Sequence, residues 1–141
     1  MKSKSPACVW KAVLLSTFAI MATSVAAQVS TVPSKLSGRW MTLDGAYSQS
    51  ISANIDAAAS KGTLDVWSNS SSCTIRDAPV DVIMVGEKLI LKVAASYTNP
   101  CRADVSVELT KKVGSTEYEG ELRQGGPAGA QFPVLRVRMS P

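Results

Sequence analysis

From Arg102 to Thr110 the side chains alternate without a break. Ala103, Val105, Val107 and Leu109 share one face, and Arg102, Asp104, Ser106, Glu108 and Thr110 share the other. A period of two with one apolar side describes a strand half-buried in a sheet, and it cannot wrap an apolar stripe onto one side of a helix. The same pattern recurs along the chain. Arg39 to Leu43 ends in an Asp44-Gly45 turn. Ala46 to Ile55 sets Tyr47, Ile51, Ala53 and Ile55 against Ser48, Ser50, Ser52 and Asn54. Thr63 to Ser68 sets Leu64 and Val66 against Asp65 and Trp67. Cys73 to Arg76 is followed by a break at Asp77-Ala78-Pro79, where proline lacks an amide hydrogen, and then by Val80 to Val85. Leu89 to Ser96, Glu117 to Arg123 and Phe132 to Met139 complete the series. About eight short strands at even spacing, joined by turn residues, predict an all-β antiparallel meander closed as a small barrel or sandwich.

The first 27 residues read differently. Lys2, Lys4 and Lys11 precede or open an apolar run from Ala12 to Ala22, and Val25-Ala26-Ala27 sets small residues before Gln28. These are the three parts of a secretory leader, and the apolar run is shorter than the roughly twenty residues a bilayer needs. Domain organisation is thus expected as a leader over 1–27, a flexible arm over 28–36 and a single β domain over 37–141, with the mature protein periplasmic or extracellular. Charge must be counted without the leader. The whole chain carries 15 Lys and Arg against 11 Asp and Glu, but three of those lysines lie in the leader. The mature chain is then within about one charge of neutrality, which removes the argument for a nucleic-acid partner. An outer-membrane barrel would need apolar lipid-facing sides, whereas one face of nearly every strand here is charged or hydroxylic.

Cys8 belongs to the leader, leaving Cys73 and Cys101. Two cysteines in an exported chain predict a disulfide, closing a loop of roughly thirty residues for a stabilisation of about 3–4 kcal/mol. With no histidine in the chain, tetrahedral zinc lacks ligands, and Ser-His-Asp and Cys-His nucleophile arrangements are excluded. Glu117, Glu119 and Glu121 stand on one strand face in equivalent settings. That is not the unlike pair that acid–base chemistry needs, and cross-strand pairing with Arg136 and Arg138 accounts for them. No catalytic residue, metal or cofactor is predicted.

Gly38-x-Trp40 at the start of the meander resembles the opening of the lipocalin and avidin-like (calycin) barrels. The resemblance implies a barrel whose first-strand tryptophan closes one end, covered by a basic side chain of the last strand, here Arg136 or Arg138. It also implies an apolar or amphipathic small ligand at the barrel mouth. Trp40, Tyr47, Trp67 and Tyr118 are the aromatic residues that could line such a site, since Trp and Tyr join a large apolar surface to a polar tip. Trp67 is set apart from the others by sharing its strand face with Asp65. The alternative is a protein-binding module, such as an inhibitor of a secreted hydrolase or an accessory surface protein, acting through an edge or through loops.

Overall fold

The computed structural model describes residues 31–69, 73–98, 104–125 and 133–141. The leader over 1–27 therefore lies outside the described residues. Eight strands follow in chain order: β1 (Lys35–Met41), β2 (Ser48–Asp56), β3 (Lys61–Val66), β4 (Ile75–Val85), β5 (Lys88–Val93), β6 (Asp104–Lys111), β7 (Tyr118–Gly125) and β8 (Leu135–Ser140). Each pairs antiparallel with the next, and β8 returns to pair with β1, so the sheet is a closed barrel. Of the two predicted architectures, the barrel is the one formed. Closure matters for function because it leaves no strand with an unpaired row of amides.

The alternation puts Leu36, Ile51, Ala53, Ile55, Leu64, Val66, Val80, Leu89, Leu91, Val105, Val107, Leu109, Leu122, Val137 and Met139 inside, all buried, and no polar or charged residue among those described is buried with them. Eight strands enclose a space just wide enough for side chains to fill. Burying each of the larger aliphatic side chains contributes about 1.5–3 kcal/mol, which is what holds the cylinder shut.

Gly38 has a specific reason to be glycine. It faces inward between Leu36 and Trp40, at the seam where β1 meets β8 opposite Met139. A Cβ there would lie 1.9 Å from the carbonyl oxygen of Arg138. Gly120, inward on β7, is in the same position: a Cβ would come within 1.8 Å of the Glu108 carbonyl oxygen. At both points the sheet coils so tightly that backbone occupies the space of a side chain.

Three expectations are corrected. The first strand begins at Lys35 and not at Arg39, and Leu36, assigned to the flexible arm, is fully buried. The described part of the arm, 31–36, is tied down as well, since the Ile55 amide donates to the Ser34 carbonyl at 2.8 Å and Val32 packs against the core. At the other end of the strand, Leu43 lies in the turn and is exposed. Finally, Pro79 does not interrupt β4, which runs unbroken through it. A residue's N and C=O point to the same side of a strand. The Pro79 carbonyl accepts from Ala94, one residue past the end of β5, so its nitrogen faces a place where no ladder donor is required.

Candidate functional site

In an up-and-down barrel the odd-numbered connections share one end. Here that end carries the β1–β2, β3–β4, β5–β6 and β7–β8 loops, and it is where the chain departs most from regular strand. The β3–β4 register shifts between Leu64 opposite Ala78 and Val66 opposite Ile75. Arg76 and Asp77 together thus face the single Asp65, which is a β-bulge. Asp77 takes a positive φ of 48°, a conformation Asp tolerates better than most residues, and its amide donates to Asp65 Oδ1 at 2.9 Å.

A bulge leaves its extra residue without ladder partners and re-aims its side chain. Tyr97, in the β5–β6 loop, supplies what the ladder does not. Its hydroxyl donates to the Arg76 carbonyl at 3.1 Å and accepts from the Arg76 amide at 3.4 Å. The Arg76 guanidinium lies over the Trp67 ring, 4.6 Å from its centroid, a cation–π contact. Trp67 is 46% exposed, the largest aromatic surface among the described residues. Trp67, Ser68, Asn69, Thr74, Arg76 and Tyr97 line an open depression of about 410 Å³.

Beneath this depression a second tier holds the loop. The Trp40 indole nitrogen donates to the Trp67 carbonyl at 2.8 Å, and the Trp67 amide donates to the Ser50 carbonyl at 3.0 Å. Tyr47 packs on Trp40 with ring centroids 5.5 Å apart, and its hydroxyl accepts from the Asn69 amide at 3.3 Å. Gln49 donates to the Asn69 side-chain oxygen at 2.8 Å. Thr74 closes the hairpin, its hydroxyl donating to the Ser68 carbonyl at 3.1 Å.

The residues singled out from the sequence therefore separate. Trp67 is the exposed surface. Trp40 is buried and Tyr47 half-buried, and both support the loop without lining the depression. Tyr118 is 5% exposed at the start of β7, which places it at the opposite end of the barrel, and desolvation raises its phenol above the ordinary value of 10.0. Arg136 and Arg138 do not cover Trp40. In register, Trp40 faces Val137, while Arg138 faces Arg39 and Arg136 faces Met41, so both arginines point outward from a strand whose inward residue meets the indole. Arg138 instead pairs with Glu119 at 3.4 Å, the cross-strand pairing expected for the glutamates. Cys73 is half-buried ahead of β4, and Cys101 lies outside the described residues, so the Cys73–Cys101 pair stays an expectation.

Arg76 is the residue that sequence reading missed, its only signal being its position beside Asp77-Ala78-Pro79. Tyr97 carried only the general signal that a large amphipathic aromatic residue often lines a binding surface. Among the described residues no three metal-ligating side chains cluster, and no helix is long and apolar enough to cross a membrane.

Comparison of the chain with protein-family models, with curated proteins and with solved structures found no match. Fold and geometry define the class on their own: a closed up-and-down β-barrel, its described interior filled with aliphatic side chains, presenting a polar and aromatic depression at one loop end.

Proposed function

We propose that this is an exported binding module that engages a protein partner through the loop end carrying Trp67, Arg76 and Tyr97, and that it acts through binding and not through catalysis. The observation that carries the reading is the exposed Trp67 indole held under Arg76 in an open depression. Trp, Tyr and Arg are the residue types that dominate binding energy at protein interfaces. Here they are held in place from below by Trp40, Tyr47 and Gln49, so little ordering remains to be done on binding. Two further points support it. Closure of the barrel removes edge-strand pairing as a mode of association. The other function considered, an apolar or amphipathic ligand held within the barrel mouth, would have to displace side chains such as Leu91, Val107 and Leu122, each with 0% exposure.

The test is capture with the purified protein from the compartment it is exported to, run beside Trp67→Ala. The expected result is a stoichiometric protein partner bound by the parent and weakened at least about thirtyfold by the substitution, the scale of an interface hot spot. A partner held equally by both proteins would place the interface elsewhere. Saturable binding of a fatty acid or apolar dye by both, with no protein partner, would favour the small-ligand reading.

A further inference from the structure

The chemistry of the cleft narrows what a partner must bring. The ion pairs among the described residues join Lys61 to Asp81, Lys88 to Glu108, Lys112 to Glu117 and Glu119, Arg123 to Glu108 and Glu121, and Arg138 to Glu119, with Glu108 and Glu119 each serving two cations. Arg76 has no such partner among those residues, as holds too for Lys35, Arg39, Lys92, Lys111 and Arg136, but of all these cations Arg76 alone lines the aromatic depression. The acid across the bulge is engaged elsewhere, since Asp65 accepts the Asp77 amide and, at 3.4 Å, the Ser52 hydroxyl. No acidic residue among those described lines the depression; its other members are Trp67, Ser68, Asn69, Thr74 and Tyr97.

From this we infer that Arg76 is a recognition point for a carboxylate on the partner's polypeptide, an Asp or Glu side chain or a C-terminus set beside the Trp67 indole. This rests on the protein-binding reading of the same depression and adds the charge of the partner to it. A guanidinium lying over an aromatic face still offers its fork of N–H groups, two of which a carboxylate can take in parallel. Stacking also limits the side chain's freedom before anything binds, so less order is lost when the pair forms. Tyr97 is a positioning residue in this arrangement, because its hydroxyl holds both backbone groups of Arg76. A sugar is the weaker candidate for the same place: it would stack on the indole face that Arg76 already covers.

The experiment is selection of short peptides from a random phage-displayed library on the purified protein, repeated on Arg76→Gln, Tyr97→Phe and Trp67→Ala. Selected peptides are then synthesised with the acid and with its amide counterpart. The expected result is enrichment of Asp, Glu or a free C-terminus in the selected peptides, with binding roughly tenfold weaker for the amide form or for Arg76→Gln. Tyr97→Phe should weaken the acidic peptide and leave its amide form unchanged, which a merely structural role would not do. Three outcomes overturn the inference. Neutral peptides lost on Trp67→Ala but indifferent to Arg76→Gln would remove the carboxylate and leave the protein-binding reading intact. Peptides indifferent to all three substitutions, or no selected peptide at all, would count against both. Saturable binding of acetate or inorganic phosphate at Arg76 without peptide selection would assign the site to a small free anion. Thermal unfolding of each variant, unchanged within a few degrees, shows that the fold survived.

Discussion

Replacing Gly38 with alanine tests why the first strand begins as it does. The added Cβ would stand 1.9 Å from the Arg138 carbonyl oxygen, and 2.8 Å from both the Arg138 carbonyl carbon and Met139 Cα. All three are backbone atoms, so no side chain can swing aside. Contacts below 3.0 Å are essentially never seen for a real Cβ, and β1 and β8 would have to part by about 1 Å. That strains or breaks ladder hydrogen bonds at the seam that closes the barrel, each worth about 1 kcal/mol. Overpacking of this kind costs about 1–3 kcal/mol in total and occasionally more. Alanine also stiffens the unfolded chain, which offsets about 0.4–1 kcal/mol. The net expectation is a loss of about 1–2 kcal/mol, or a fall in Tm of roughly 4–9 °C for a domain of this size. Circular dichroism melts and urea titrations would measure it. Gly125→Ala is the matched control, because a Cβ there meets Asp104 only at an ordinary 3.7 Å; it should leave Tm within a few degrees. If Gly38→Ala melted with the parent, the close approach of β1 to β8 would be wrong, and with it the tight closure of the barrel.

Other expectations are independent of that seam. Gly120→Ala, which would set a Cβ 1.8 Å from the Glu108 carbonyl oxygen, should destabilise by a similar amount through β6 and β7. Tyr118 has a folded-state phenol raised above 10.0 by burial, so the native state holds its proton longer than the unfolded chain does. Stability should be fully present below pH 10 and fall as pH rises past it, and Tyr118→Phe should flatten that alkaline limb in melts taken across the range. Asp44 is held below its ordinary 3.8 by the Thr42 hydroxyl first and then by the Ala46 amide. Thr42→Val should bring the Asp44 midpoint back up in a carboxyl NMR titration, and an unmoved midpoint would contradict the turn geometry. The Cys73–Cys101 pairing predicts an intact mass two hydrogens lighter before reduction than after, and equal masses would refute it.

Fold class was readable from residues such as Val105, Val107 and Leu109 because inward and outward positions differ in polarity at every step, and a period of two permits one placement. Sheet closure was not readable. Strand count and short turns are shared by barrels and sandwiches, and the glycines that let strands coil carry no polarity signal. Pro79 misled because its effect depends on which side of the strand its nitrogen faces, a matter of register set by the length of β5. Register also explains the site. Trp67 could be picked out by its place on the polar face beside Asp65. That Arg76 would lie over it depended on one extra residue in β4, whose mark in the alternation is only the doubled outward pair Arg76-Asp77 between inward Ile75 and Ala78. Arg136 and Arg138 failed as covers for Trp40 for the opposite reason: the alternation that makes Val137 inward turns both arginines out, and that alternation is plain in the order of the residues themselves.

The most direct test is to see which part of the barrel responds when the proposed protein partner binds. Isotope-labelled protein, titrated with the partner captured from its own compartment, reports this through its indole, guanidinium and methyl NMR signals. The Trp67 indole and the Arg76 Nε–H are expected to shift strongly at equal stoichiometry, while the methyl groups of Leu91, Val107 and Leu122 inside the barrel stay where they were. Shifts concentrated in those interior methyls, with Trp67 and Arg76 unmoved, would contradict the proposal.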